Sequence, residues 1–135
     1  MTHVATVRVI YGDTDQMGVV YYANYLRYFE IARAEWLRAR GREYRTIEAE
    51  GLQMPVIEAH VRYRAPARYD DLLEIAAAPA EVRGASMKFR YALRRRGADA
   101  VLVEGWTQHA CIGRDGRPTR FPDALRRLLD EDAAP

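Results

Sequence analysis

A short polar run, residues 12–18, carries the densest set of chemically competent side chains in the sequence. It holds two carboxylates, Asp13 and Asp15, and ends at Gly18, just before an apolar segment that starts near Tyr22. Gly18 lets the backbone approach a ligand closely because it has no Cβ. The first amides of a helix lack helical partners and lie at the positive end of its dipole, so an amide near Tyr22 can polarise a carbonyl oxygen. Asp15 could then attack that carbonyl, or deprotonate a water that attacks it.

Two structural explanations compete with this chemistry. An Asp in a strand-to-helix turn is more often a turn former or a helix cap than a catalyst, and the local pattern alone favours that interpretation for Asp13 and for Asp15. A calcium loop would use Asp13, Asp15 and Gly18 as its first, third and sixth positions. It fails at the fifth position, Met17, and at the twelfth, Asn24, where a bidentate Glu is needed.

The remaining nucleophiles and metal ligands do not form a recognisable set. His3, His60 and His109 are scattered, and only Cys111 is close to one of them in sequence. His109 and Cys111 share one face of a predicted strand, so a Cys–His pair is conceivable, but nothing else completes a zinc site. Ser86 is the single serine and is not part of a G-x-S-x-G elbow, and no Gly-rich phosphate loop occurs.

Hydrophobic periodicity predicts the elements that position residues 12–18. Alternation over residues 3–11 predicts a strand, and apolar side chains at helical spacing over residues 22–40 predict a long helix that ends before Gly41. Further along, we expect a short helix near 44–50, strands near 57–65, 73–77, 86–94 and 100–113, and a last helix opened by Pro122, with Pro79 at a sheet edge or bulge.

This order of elements predicts an α+β fold in which a five-stranded antiparallel sheet wraps around one long helix. The chain length suits a single domain over residues 1–135. A sheet of this size leaves one edge exposed, and pairing of edges between two subunits would remove that edge.

Composition limits the classes of partner. The formal net charge of +2 is too small to imply a nucleic-acid partner, although residues 83–127 carry eleven Arg or Lys against four acids. That local basic surface also suits a phosphorylated small molecule, but a genome-wide codon bias toward Arg is the preferred explanation of the count. One cysteine excludes an internal disulfide, and no basic leader or long apolar run occurs, so we expect a cytoplasmic protein without a membrane span.

Two stretches of the sequence resemble one family. The run from Tyr11 to Tyr25, continuing through Phe29 to Arg33, resembles the signature of the 4-hydroxybenzoyl-CoA thioesterase family, which includes acyl-CoA thioesterases encoded with the Tol-Pal system. The later stretch from Tyr63 to Leu73 is similar to that family as well. The resemblance implies a hotdog fold, a homodimer or homotetramer with active sites at the subunit interface, and hydrolysis of a fatty or aromatic acyl-CoA.

The resemblance also assigns roles to individual residues. It makes Asp15 the catalytic carboxylate, as nucleophile or as general base, and makes the backbone amide of Tyr22 the contact for the thioester carbonyl. Gly18 and Val19 would adjoin the substrate. Glu30, two turns further along the helix, would line the acyl pocket, with a buried partnership to Arg33 as the alternative.

For the nucleotide end of CoA, Arg68 and Arg83 are the expected ligands, with solvated surface positions as the alternative. The resemblance implies neither a metal nor a redox cofactor. A non-catalytic hotdog module that binds acyl-CoA or regulates a partner is the rival function. Nucleic-acid binding is disfavoured because Phe89 and Tyr91 fall on the predicted core face rather than among the exposed arginines.

Overall fold

The structure is a computed structural model that describes residues 2–131 and residue 133, with the side chains of residues 2–4 left out of the description. Its five antiparallel strands are β1 Thr2–Arg8, β2 Val56–Tyr63, β3 Leu72–Ala80, β4 Ser86–Arg95 and β5 Val101–Ala110, in the order β1-β3-β4-β5-β2. Its helices are α1 Asn24–Ala39, α2 Tyr44–Ala49 and α3 Asp123–Glu131. The predicted α+β arrangement, a sheet curved around one long helix, is confirmed.

The core forms where one stripe of α1 packs on the sheet. Phe29 stacks on Tyr91 of β4, with ring centroids 4.2 Å apart and planes 3° from parallel. Two helical turns further along α1, Trp36 packs edge to face on Phe89, with ring centroids 5.5 Å apart. All four rings are buried. Burial of each aromatic ring stabilises the fold by roughly 1.5–3 kcal/mol, so this stripe fixes the height of α1 above the sheet.

Close approach of α1 to the sheet depends on a glycine in β5. Gly105 lies between Tyr91 of β4 and Val61 of β2 in the strand register. A Cβ on Gly105 would lie 3.1 Å from the Phe29 ring and would collide with the backbone carbonyl of His60. The absence of a side chain at this position therefore makes room for the Phe29 ring directly over the sheet.

Both ends of the segment that carries the candidate carboxylates differ from the predicted bounds. β1 ends at Arg8 rather than continuing to residue 11, because Tyr11–Asp13 form a 3-10 turn closed by Asp13 N–H donating to the Ile10 carbonyl at 3.0 Å. Tyr11, predicted on the apolar strand face, is instead 79% exposed. α1 starts at Asn24, so the Tyr22 amide precedes the helix.

Among the described residues, parts of two strands, the end of β3 and the whole of β2, lack a neighbouring strand on one side. Pro79 pairs with Phe89 on one side, while β1 reaches only to Ala77, so no described strand borders Pro79 on its other side. The predicted edge position of Pro79 is confirmed. β2 forms the opposite edge, and all its residues except Val61 are exposed. No helix in the described part of the chain has the length and apolar character needed to span a membrane.

Candidate active site

A tight hairpin presents Asp15. The Asp15 N–H donates to the Val19 carbonyl at 2.9 Å, and the Tyr21 N–H donates to the Asp13 carbonyl at 2.9 Å. Gly18 takes a left-handed conformation with φ 80° and donates its N–H to the Asp15 carbonyl. A side chain at this φ is strained, which explains the glycine at the point where the chain reverses.

The Asp15 carboxylate is half-buried and only partly used by the hairpin. Its Oδ1 accepts the Met17 N–H at 2.9 Å, which closes an Asx turn. Its Oδ2 has no hydrogen-bond or ion-pair partner among the described residues. Asp15 lines an open cleft of about 620 Å³ together with Tyr11, Gly12, Thr14, Gln16, Gly18 and Tyr69. One carboxylate oxygen is therefore available to a molecule in this cleft.

Unpaired backbone amides follow the hairpin directly. Within the described part of the chain, the N–H groups of Tyr22 and Ala23 have no hydrogen-bond acceptor, whereas those of Tyr21 and Asn24 are both bonded. Ala23 is the N-cap of α1 and gives no side-chain cap. These two free donors lie at the positive end of the helix dipole, where developing negative charge is stabilised.

Asp13 differs from Asp15 in being buried, at 5% exposure. The Tyr28 hydroxyl donates to its Oδ2 at 2.8 Å, and the Arg27 guanidinium donates to its Oδ1 at 3.2 Å. Burial, followed by this hydrogen bond and the charge of Asp13, raises the pKa of Tyr28. The Asn24 side-chain amide also donates to the Asp13 carbonyl at 2.9 Å. Asp13 thus joins the hairpin to the first turns of α1, a role that its turn position alone did not predict.

A second group of aromatic side chains lies between the hairpin and β2. The Tyr63 hydroxyl donates to the Tyr22 carbonyl at 3.2 Å, and its ring meets those of Tyr22 and Tyr25 at 6.3 and 5.5 Å. Tyr21 contacts Tyr22 at 4.9 Å. The hydrogen bond with Tyr22 is the main cause of the raised pKa of Tyr21, and the charge of Asp15 adds to it.

Glu30 lies in a different cavity from Asp15. A pocket of about 390 Å³ is bounded by Glu30 and Arg33 of α1 and by apolar side chains that include Leu37, Met54, Val56 and Phe89. Glu30 is 72% exposed and its carboxylate is 3.8 Å from Arg33. It is therefore not a buried ion-pair partner. Within one chain it lines an apolar pocket that is separate from the Asp15 cleft.

A chain of hydrogen bonds runs inward from His109, which lines that pocket. His109 Nδ1 lies 3.0 Å from the Met54 carbonyl, which can only accept, so Nδ1 carries the proton and Nε2 accepts from the Thr107 hydroxyl at 2.8 Å. Tyr91 must then donate to Thr107, at 2.6 Å. Burial lowers the pKa of His109 to about 4. Both ring nitrogens are occupied, so the conceivable His109–Cys111 pair is not formed.

The two arginines expected at the CoA nucleotide lie far apart. Arg68 is exposed and precedes Tyr69, which borders the Asp15 cleft. Arg83 is exposed in the turn after β3, at the opposite end of that strand from residues 69–71. Nine strand residues span about 30 Å. Within one chain, therefore, Arg68 directly precedes a residue of the cleft, whereas Arg83 lies at the far end of β3.

The sequence did not single out three residues of this region, namely Tyr11, Tyr63 and Tyr69. Tyr11 and Tyr63 fall within predicted strands and Tyr69 lies between two of them, and all three are exposed beside the hairpin or its aromatic neighbours. The signal in the sequence that could have identified Tyr11 and Tyr69 is a tyrosine placed next to acidic turn residues. Among the residues the structure describes, no cluster of His, Cys, Asp and Glu is arranged as a metal site.

The curved antiparallel sheet around α1 is the architecture of the hotdog class. The thioesterase-like superfamily model matches residues 9–129. The chain therefore belongs to the thioesterase-like superfamily.

Individual relatives agree with that assignment. The chain is similar to the acyl-CoA thioesterase YbgC of Haemophilus influenzae, with 36% identity over 122 residues that cover 89% of this chain and 88% of the relative. It is 45% identical to the acyl-CoA thioester hydrolase YbgC of Escherichia coli over 83 residues, 62% of each chain. A Thermus thermophilus protein of known crystal structure superposes with a TM-score of 0.90 at 37% identity, covering 96% of this chain and 98% of that one.

Proposed function

We propose that this protein is an acyl-CoA thioesterase that hydrolyses the thioester of a fatty or aromatic acyl-CoA. Family membership and the activities named for the YbgC relatives support this class of reaction. The observation that carries the proposal is that one hairpin presents an unpaired Asp15 Oδ2 to an open cleft and is followed directly in the chain by the unpaired amides of Tyr22 and Ala23.

In the proposed reaction the thioester carbonyl oxygen accepts hydrogen bonds from the Tyr22 and Ala23 amides, which stabilise negative charge as it develops. Asp15 then either attacks the carbonyl carbon or removes a proton from the attacking water. If Asp15 attacks, the carbon–sulfur bond breaks to give a mixed anhydride, which water then hydrolyses to the carboxylic acid and free Asp15. If Asp15 acts as a base, water adds to the carbonyl directly and the carbon–sulfur bond then breaks. In both routes the thiolate takes up a proton. Gly18 gives the substrate access because no atom lies near the position of its missing Cβ. Val19 acts indirectly, through the carbonyl that holds the Asp15 amide.

Replacement of Asp15 by Asn tests this assignment. The amide keeps an oxygen for the Met17 N–H, so the hairpin should survive, but it is neither a base nor a good nucleophile. We expect turnover to fall at least about a hundredfold, the usual loss for a positioned proton-transfer group. Binding of a non-hydrolysable thioester analogue should persist, because the change removes one negative charge next to an anionic ligand.

The chain offers a matched control at Asp115. Its Oδ1 also closes an Asx turn, accepting the Arg117 N–H at 3.0 Å before Gly116 with φ 78°. Asp115→Asn should leave turnover unchanged. Normal thiol release by Asp15→Asn would show that Asp15 is structural. Tight acyl-CoA binding without thiol release by the unmodified protein would instead indicate the alternative, a non-catalytic acyl-CoA module.

We also propose that the protein works as a homodimer or homotetramer. The exposed edge strand β2 carries apolar side chains at Val56, Ile57 and Tyr63, and each is at least 45% exposed. Antiparallel pairing of two β2 edges about their midpoint would place Val56 of one copy opposite Tyr63 of the partner subunit. That arrangement supports a shared site, since it brings the apolar pocket bordered by Val56 and Glu30 toward the second copy's Tyr22.

Light scattering combined with activity at serial dilution tests the shared site. We expect a dimer or tetramer whose specific activity drops as subunits dissociate. A monomer with full activity would contradict the proposal. Five further statements stay predictions: contact of Arg68 and Arg83 with the CoA phosphates, absence of a cofactor, absence of nucleic-acid binding, a cytoplasmic location, and a single domain over residues 1–135. Residues 1, 132, 134 and 135 of that domain lie outside the part of the chain that the structure describes.

A further inference from the structure

We propose that Tyr11 and Tyr69 form a subsite for the extended, amide-bearing thiol arm of the carrier to which the acyl group is attached. The proposal rests on the proposed thioesterase function and specifies which half of the substrate occupies the Asp15 cleft. Tyr11 and Tyr69 line that cleft together with Asp15.

The two rings present an unusual amount of aromatic surface to solvent. Tyr11 is 79% exposed and Tyr69 59%, and they meet edge to face with centroids 5.8 Å apart at 83°. Neither hydroxyl has a hydrogen-bond partner in the described part of the chain, whereas the hydroxyls of the buried Tyr25, Tyr28 and Tyr91 all have one. Rings that contribute so little to the core, with free hydroxyls, suit a ligand that offers both apolar and polar contacts.

Backbone hydrogen bonds hold together the two segments that carry Tyr11 and Tyr69, which form an aromatic wall of the cleft. The Val9 N–H donates to the Asp71 carbonyl and the Asp70 N–H donates to the Val9 carbonyl, both at 2.9 Å. These bonds join the segment before Tyr11 to the turn that carries Tyr69. The Asp71 carboxylate closes that turn by accepting from the Arg68 N–H and from the Arg95 guanidinium, each at 2.8 Å. The wall is therefore largely formed before a ligand arrives, which reduces the entropic cost of binding.

The character of the two cavities assigns the two halves of the substrate. The pocket bordered by Leu37, Met54 and Phe89 is mostly apolar and suits a hydrocarbon or aryl group. The Asp15 cleft is open to solvent and has the polar side chains of Thr14 and Gln16 among its walls. A carrier arm with two amides and methylene spacers matches a polar cleft with aromatic rings better than an apolar acyl chain does. Exposed Arg68, next to Tyr69, lies where the arm would continue toward anionic groups.

The experiment compares thioesters that share one acyl group but differ in the thiol: coenzyme A, pantetheine and ethanethiol. For Tyr69→Ala and Tyr11→Ala, we expect kcat/KM to fall about three- to tenfold with the first two substrates, mainly through KM, which is the size expected for loss of one aromatic contact. With the ethanethiol thioester, the same variants should stay within twofold of the unmodified protein. Tyr69→Phe and Tyr11→Phe keep the rings and remove only the hydroxyls, so they separate the ring contact from hydrogen bonds between the hydroxyls and the amides of the arm.

Three results would overturn the subsite. An equal fall with all three thiols would mean that the rings support the hairpin, and no fall would mean that they do not contact the substrate. A loss that follows the acyl group, measured with a series of acyl-CoAs, would mean that the rings bind the acyl half. If the unmodified protein released no thiol at all, the thioesterase proposal would fail separately. Calorimetric titration with coenzyme A would then decide the subsite, which requires weaker binding by Tyr69→Ala.

Discussion

Replacement of Tyr28 by Phe removes one oxygen atom from a buried contact and tests whether Asp13 fixes the catalytic hairpin. The Tyr28 hydroxyl lies 2.8 Å from Asp13 Oδ2, and Asp13 is 5% exposed. The Tyr28 ring is itself buried and packs on Tyr25 at 5.9 Å, and phenylalanine can keep that packing. The substitution therefore isolates the hydrogen bond.

The expected size of the effect follows from the charge of the acceptor. A hydrogen bond to a charged group contributes about 1.5–3 kcal/mol, and a buried carboxylate that loses its donor cannot recover the full amount from solvent. Arg27 continues to donate to Oδ1 at 3.2 Å, but its side chain is 65% exposed, so its contribution is screened by water. We therefore expect the free energy of unfolding to decrease by about 1.5–3 kcal/mol. Turnover should also decrease, because the hairpin that carries Asp15 loses a contact with α1.

Urea unfolding at one protein concentration, together with thiol release from an acyl-CoA, measures both effects. Tyr11→Phe is the control for stability, since the Tyr11 hydroxyl has no partner within the described chain. The reasoning fails if Tyr28→Phe and Tyr11→Phe are equally stable. It also fails if Tyr28→Phe is destabilised but turns over at the full rate, since Asp13 would then stabilise the fold without positioning Asp15.

Three further predictions concern the core and the hairpin. Gly105→Ala should lower the free energy of unfolding in urea by at least about 2–3 kcal/mol, because the new Cβ would collide with the His60 carbonyl and crowd Phe29. A decrease below about 0.5 kcal/mol, the range of ordinary surface substitutions, would contradict this. His109 has a pKa of about 4 in the folded protein and 6.5 when exposed, so the unfolded chain binds the proton first as the pH falls. We therefore expect the free energy of unfolding to decrease by roughly 3 kcal/mol between pH 6.5 and pH 4. The variant His109→Gln should lack this dependence on pH. Gly18→Val should reduce turnover more than it reduces thermal stability. The φ of 80° strains a branched side chain beside the cleft, whereas the open space around this position leaves no protein atom for that side chain to displace. Unchanged turnover would mean that the substrate binds elsewhere.

The fold was predictable because its elements carry long, regular patterns. The buried stripe of α1 repeats at helical spacing, and Met87, Phe89, Tyr91 and Leu93 alternate along β4 and are all buried. Such patterns state which face is buried whatever the tertiary partner is. The role of Gly105 left no periodic trace, since a missing side chain matters only once the Phe29 ring is known to lie over it.

Turn chemistry predicted the local conformation of Asp15 but not the burial of Asp13. Local turn chemistry treats both as Asx residues, and Asp15 does close an Asx turn with Met17. What separates them is the partner of each carboxylate. Asp13 meets Tyr28, which is fifteen positions away and is fixed by the packing of α1, whereas Asp15 Oδ2 faces open space. No spacing rule encodes that difference, because it depends on the position of the hairpin above the helix.

The burial of Asp13 explains how the half-buried Asp15 carboxylate can be held in place on a protruding hairpin. The Asp15 hairpin protrudes into solvent, with Met17 78% exposed at its turn, and a loop of this kind is ordinarily mobile. Its first strand, however, is joined to α1 through Tyr28, and Val20 donates its N–H to the Ala67 carbonyl at 2.8 Å on the other side. The Ala67 N–H in turn donates to the Tyr25 hydroxyl at 3.1 Å. Because Tyr25 and Tyr28 both belong to the first turns of α1, the helix that directly follows the free Tyr22 and Ala23 amides also holds the hairpin. The relative position of carboxylate and amides is therefore set by one rigid element rather than by the flexibility of the loop.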